Sequence, residues 1–180
     1  MAQGLRAGVL GVGSLGRYHA QKYAALDEAE LVGVFDPDAE RARAVAEEVG
    51  AEPFTDLEAL LGRVDMVTIA APTEVHRELG VQCLERGIHV LMEKPITANL
   101  DEADALIEAA DASGAVLQVG HLKRFHPTVQ AIRQQGWDDE APRYIEAERL
   151  NLFQARSLDI DVILDLMVHD LDLINELVRS

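Results

Sequence analysis

The chain has 180 residues, 48% hydrophobic and 27% charged, enough for one full α/β domain with a small appendage. Its formal net charge of −16 argues against nucleic acid or an anionic membrane surface as a partner, since both need a positive face and no block of Lys and Arg exists here. Cys83 is the single cysteine, which excludes an intrachain disulfide. With no signal sequence and no apolar run long enough to span a bilayer, the expected location is the cytoplasm.

Residues 5–10 are short, mostly apolar and β-compatible, and Gly11-Val12-Gly13-Ser14-Leu15-Gly16 follows at once. A helical pattern over 17–25 comes next, and a second apolar run, 31–35, ends in Asp36. Strand, glycine turn, helix, strand and acid in this order form a dinucleotide-binding fingerprint in its required context. Gly11 permits the tight turn, Gly13 lets a pyrophosphate approach the backbone, and Gly16 lets the helix pack closely on the sheet. The helix start at Ser14 and Leu15 offers N–H groups and a positive dipole end to the phosphates. Asp36 stands where a carboxylate accepts the ribose hydroxyls of NAD and repels a 2′-phosphate, so NAD is expected rather than NADP. Arg41 or Arg43, swinging toward such a phosphate, would weaken that preference.

Further along, Pro37 can open a helix at its first turn. Ala42, Val45, Ala46 and Val49 recur at helical spacing over 39–49, and Gly50 is a natural stop. A short strand over 51–54 leads to a cap at Thr55-Asp56 and a helical turn with Leu60 and Leu61. Residues 64–70 read as a buried parallel strand ended by Ala71-Pro72-Thr73. A helix over 75–86 stops at Gly87, a strand over 88–92 is closed by Glu93-Lys94-Pro95, and Asn99 caps a helix over 100–112. A strand over 115–119 follows, then a polar stretch from Gly120 to Pro127, a helix over 128–135, a loop over 136–142 and an alternating, strand-like run over 143–150. Residues 158–178 are apolar-rich and helical from Val162. Strands alternating with helices imply a doubly wound parallel sheet whose ligand sits at the carboxyl ends of the strands.

Three of those strand ends carry polar residues: Asp36, Thr73 after Pro72, and Glu93-Lys94-Pro95. Lys94 is held by the following proline, the Lys94-Pro95 bond can be cis, and burial beside a cofactor would suit the lysine to proton transfer. Alone, it reads better as a solvated loop lysine. Asp165 and His169 lie four apart on a helix, where the carboxylate can orient the imidazole; alone, they read better as a surface pair. Asp170 and Asp172 read as solvated. No metal set is expected, because Asp165 and His169 are only two ligands and His19, His89, His121 and His126 are scattered.

Taken together, Gly11-x-Gly13-x-x-Gly16, Asp36, Pro72-Thr73-x-x-His76, Glu93-Lys94-Pro95, Gly120-His121-x-x-Arg124-Phe125-x-Pro127 and Asp165-x-x-x-His169 resemble the glucose–fructose oxidoreductase/inositol dehydrogenase family over nearly the whole chain. The resemblance implies reversible hydride transfer between a nicotinamide cofactor and a carbinol of a sugar or cyclitol. It implies that Lys94 orients the hydroxyl and stabilises its developing charge, that His169 is the acid/base, and that Asp165 orients it or binds substrate. Thr73, His76, Glu93 and Arg124 would line the nicotinamide half of the cofactor, beside Pro72. Residues 156–170 resemble the branch that includes UDP-N-acetylglucosamine 3-dehydrogenases, which makes a nucleotide-sugar the leading substrate. Two departures stand out. Leu158-Asp159-Ile160-Asp161 occupies a place that is glycine-rich in many members, and members are usually about twice this length. The expected organisation is therefore a dinucleotide-binding core over 1–120 and a connecting segment with its helix over 121–180. The second, α+β domain, which in the family commonly covers the substrate and forms homo-oligomer contacts, is expected to be largely absent from these 180 residues. Such a chain is expected to bind cofactor and turn over poorly. The competing readings are a non-catalytic NAD(H)-binding module and a dihydrodiol- or biliverdin-type reductase on the same scaffold.

Overall fold

The structure, a computed structural model, describes residues 4–135, 144–148 and 161–178. The chain divides into two compact units, Met1–Val119 and Gly120–Ser180. In the first, β1 (Leu5–Leu10), α1 (Ser14–Ala24), β2 (Ala29–Phe35), α2 (Ala39–Val49), β3 (Glu52–Phe54), α3 (Leu57–Leu61) and β4 (Met66–Ile69) follow one another. A 3₁₀ turn at Thr73–Val75, α4 (His76–Leu84), β5 (His89–Met92), α5 (Leu100–Ser113) and β6 (Leu117–Val119) complete it. The six strands lie in the order β3-β2-β1-β4-β5-β6, and all five pairings are parallel. Strand order reverses between β1 and β4, which makes their carboxyl ends the crevice of a doubly wound sheet.

The sheet is buried on both faces. Leu10, Val67, Ile69, Val90 and Met92 pack with Leu60, Leu84 and Leu106 on one side. Ala7, Val9 and Val34 pack with Ala20, Tyr23, Val45 and Ala46 on the other. β1 alternates between them: Val9 joins one cluster and Leu10 the other, as a period of two requires. Each fully buried Leu or Ile contributes about 1.5–3 kcal/mol of transfer free energy, so these side chains set the helices on the strands. Cys83 belongs to this core, fully buried, and burial pushes its thiol up to about 12. The phenol of Tyr23 meets the hydroxyl of Thr68 at 2.8 Å inside the second cluster, and burial raises the Tyr23 pKa.

Helix ends follow local chemistry. The side chains of Asp38, Asp56 and Asn99 accept first-turn N–H groups of α2, α3 and α5, and Gly50 and Gly114 close α2 and α5 in the left-handed conformation. Several boundaries shift from the sequence expectation, and two of the shifts have a local cause. α1 starts at Ser14 rather than 17, because Gly13 supplies the entry turn and no apolar periodicity is needed there. Pro37 does not open α2; it precedes the cap, and Asp38 takes the capping role because its carboxylate reaches the amides of Glu40 and Arg41.

In the second unit, a 3₁₀ turn at Leu122–Phe125 leads into α6 (Pro127–Gln134), and a π turn at Ile163–Met167 leads into α7 (Val168–Val178). The Asp161 side chain accepts the amides of Ile163 and Leu164 at the start of this helical run. Residues 144–148, expected within a strand, carry no strand pairing. Alternation marks a chain suited to a ladder, but a strand also needs a neighbour to take its backbone N–H and C=O groups. The loop expected at 136–142 lies outside the described residues, as do Arg143, Arg149 and Leu150 at the ends of that run.

Candidate active site

The glycine turn is built by exclusion. Gly11 leaves β1 at φ +80°, and a Cβ there would lie 2.8 Å from the backbone of Ala71 on the β4 side of the crevice. A Cβ on Gly16 would lie 1.8 Å from the Gly11 carbonyl oxygen, so α1 rests directly on the turn. Gly13 differs from both: a Cβ there meets nothing within 4 Å. α1 also begins without a side-chain cap and without an acid in its first turn, unlike the capped α2, α3 and α5. Open first-turn amides, a positive dipole end and open space above Gly13 fit a phosphate-bearing group.

Asp36 ends β2 almost wholly buried. Its Oδ2 accepts the amide of Val12 at 3.0 Å; its Oδ1 accepts the Asp38 amide at 3.0 Å and Arg41 Nη1 at 3.0 Å. A carboxylate offers about four acceptor positions, so these three bonds leave one. Arg41 is half exposed and also meets Asp38 Oδ2 at 3.2 Å. The carboxylate therefore ties the glycine turn to α2, with a cation beside the ribose position expected from the sequence.

The β4 and β5 ends are braced together. Pro72 is exposed and Thr73 buried, and the 3₁₀ turn they begin delivers His76 into the interior. His76 is 1% exposed, with Nδ1 3.0 Å from the carbonyl of Pro95 and Nε2 2.9 Å from that of Ala71. His76, expected to line the cofactor, has both ring nitrogens on backbone carbonyls and holds the 71–76 and 93–96 segments against one another.

The Glu93 amide donates to Ile69 on β4 at 2.9 Å, and its carboxylate carries two contacts. Oε1 lies 2.7 Å from His19 Nε2, and Oε2 accepts the Lys94 amide at 3.2 Å. Burial works to raise the Glu93 pKa, but the hydrogen bond and charge of His19, then the amide and charge of Lys94, outweigh it and hold the carboxyl below its ordinary range. Lys94 is partly buried and its bond to Pro95 is cis.

In the second unit, Arg124 directs Nε at Asp172, 2.9 Å from Oδ2, and Nη1 at Glu176 Oε2, 3.0 Å away. Asp172 is 6% exposed, so the sequence reading of it as solvated does not hold: α7 turns it inward, where a bidentate guanidinium offsets the cost of burying its charge. His121 Nδ1 lies 3.7 Å from the same carboxylate. The expectation that Arg124 lines the cofactor meets a guanidinium already committed to two acids. Asp165 lies in the π turn and His169 one residue into α7, both partly buried. Irregular turns of this kind recur at functional positions. Three residues escaped the sequence reading: His19, Arg41 as a partner of Asp36, and Asp172. Only His19 left a usable signal, one helical turn after Gly16 on the helix that the glycines seat.

A family model described as an oxidoreductase family with an NAD-binding Rossmann fold matches residues 5–121. The chain belongs to the Gfo/Idh/MocA oxidoreductase family. It is 54% identical over 169 residues to UDP-N-acetylglucosamine 3-dehydrogenase from Acidithiobacillus ferrooxidans, covering 94% of this chain and 53% of that protein. The solved structure of that enzyme superposes with a TM-score of 0.92 at 52% identity, over 99% of this chain and 58% of its own. GenD2 from gentamicin A biosynthesis, solved in complex with NAD, superposes at 0.85 with 25% identity, over 98% of this chain and 54% of its own. The chain thus spans about half the length of the relatives it matches. Among the described residues, no helix is long and apolar enough to cross a membrane, and no group of three or more His, Cys, Asp and Glu side chains is placed to hold a metal ion.

Proposed function

We propose that this chain is the nicotinamide-binding and catalytic part of an NAD-dependent sugar dehydrogenase, with a UDP-N-acetylamino sugar as substrate and its 3-hydroxyl as the group oxidised. The observation that carries the cofactor half is the contrast within the glycine turn: Gly11 and Gly16 are closed by protein, whereas Gly13 and the uncapped start of α1 are open. The phosphates rest on the amides that open α1, at Ser14 and Leu15, and Asp36 uses its remaining acceptor position for the adenosine ribose. Pro72, Thr73 and Glu93 border the nicotinamide half. The substrate class rests on the 54% identity to a UDP-N-acetylglucosamine 3-dehydrogenase.

When bound, an oxidised nicotinamide supplies the acceptor for the carbinol hydride. The chain's own residues manage the hydroxyl. Lys94 donates to its oxygen and stabilises the charge that develops as the proton leaves. His169 takes that proton as general base, and Asp165 orients the imidazole or binds the sugar. The test is NADH formation at 340 nm from NAD and UDP-N-acetylglucosamine, with Lys94→Ala beside the wild type. Slow, Lys94-dependent product formation with NADH binding kept in both proteins supports the proposal. Equal rates for the two proteins, or no NADH binding by either, would refute it.

A further inference from the structure

The His19–Glu93 contact joins two parts of the first unit that the proposed reaction needs in register. α1 is fixed at Gly16 by the Gly11 carbonyl, and Ala20 and Tyr23 bury its inner face in the core. His19 projects from this seated helix. Glu93 is fixed at its backbone by the bond to Ile69, and its carboxylate is divided between His19 on one oxygen and the Lys94 amide on the other. Both side chains are mostly shielded, 24% and 15% exposed, so water competes weakly for the bond. An ionised carboxylate can only accept, so the imidazole donates through Nε2 and the contact has a defined direction.

We propose that His19 is a positioning residue for Lys94. From the helix that receives the cofactor phosphates it holds the Glu93 carboxylate, and that carboxylate holds the Lys94 backbone. The inference rests on the reading of Lys94 as the residue that meets the reacting hydroxyl. Its physical content is that two groups arriving from sequence positions 74 apart, α1 and the β5 end, share one strut. Holding the backbone of a lysine restricts where its four-carbon stem can carry the ammonium. A cofactor seated on α1 and a substrate hydroxyl met by Lys94 are thereby registered on one another.

The experiment is residue-resolved amide hydrogen exchange by NMR on the 180-residue chain, comparing wild type, His19→Ala and His19→Gln. Glutamine places an amide N–H at about the reach of Nε2 and restores the donor. In His19→Ala the Lys94 amide should exchange about tenfold faster, while Val67 and Ile69 on β4 keep their wild-type rates. In His19→Gln the Lys94 rate should return to within about threefold of wild type. An unchanged Lys94 amide in His19→Ala would overturn the proposal. So would an equal acceleration at Val67 and Ile69, or the absence of rescue by glutamine, because each would reduce His19 to general stabilisation of the fold. An NADH titration of the same wild-type sample is read separately: its failure would count against the proposed function and leave the exchange result to stand on its own.

Discussion

Placing one methyl group at Gly13 and then at Gly16 separates a residue kept small for a ligand from one kept small for the fold. At Gly16 the new Cβ would lie 1.8 Å from the Gly11 carbonyl oxygen, where real Cβ contacts essentially never fall below 3.0 Å. α1 or the turn must therefore retreat by more than an ångström, against backbone that cannot rotate away. Overpacking of this kind costs about 1–3 kcal/mol or more. For a domain of this size that lowers the melting temperature by roughly 2–12 °C. At Gly13 the same methyl meets nothing within 4 Å, and the backbone is extended, at φ −64° and ψ −157°. No packed neighbour is displaced there, so stability should stay within about 1 kcal/mol of wild type. The methyl does fill the space through which a pyrophosphate would approach, so NADH affinity should fall at least about tenfold, or about 1.4 kcal/mol. Thermal melts paired with NADH fluorescence titrations read both effects. Gly13→Ala should melt close to wild type and bind poorly, whereas Gly16→Ala should lose both properties. A Gly13→Ala protein with wild-type NADH affinity would refute the assignment of the open turn to the cofactor.

Arg41→Ala removes the cation beside Asp36, so the ratio of NADPH to NADH affinity should fall about tenfold in parallel titrations; an unchanged ratio would take Arg41 out of cofactor choice. Tyr23→Phe leaves the Thr68 hydroxyl buried without the partner it has at 2.8 Å, and chemical denaturation should show a loss of about 1–2 kcal/mol. Asp65 is drawn down to about 2, first by its side-chain hydrogen bond from Arg6 and then by the Arg6 amide. A carboxylate depressed in the folded state stabilises it above its ordinary value near 3.8 and loses that contribution as pH falls toward 2. Asp65→Asn should therefore flatten the melting temperature between about pH 4 and pH 2, modestly because the pair is solvent-screened; a steeper dependence would contradict it.

The parts of the fold legible in the sequence were those written in short stretches. The glycine turn, Asp36 at the end of its strand, the Asp56 and Asn99 caps and the Gly50 stop each depend on a few adjacent residues, and the structure carries all of them. What was not legible depends on partners far along the chain. Glu93 looks like a strand-end acid until α1 brings His19 to it. Arg124 and Asp172 read as one ligand-facing and one solvated residue, because each is a charge whose fate is decided by the other, 48 positions away. The bracing contact of His76 was hidden likewise: nothing local shows that the Pro95 carbonyl, 19 positions away, meets its ring. The alternation over 143–150 stated a preference and could not state whether a neighbouring strand would be there to satisfy it.

The central claim is that the first unit binds a nicotinamide dinucleotide through the glycine turn and Asp36. Fluorescence titration of the 180-residue chain with NADH, run beside NADPH, tests it most directly. Saturable NADH binding is expected at roughly micromolar to sub-millimolar concentration, with weaker binding of NADPH. An absence of saturation with either dinucleotide in a protein whose melt shows it folded would contradict it.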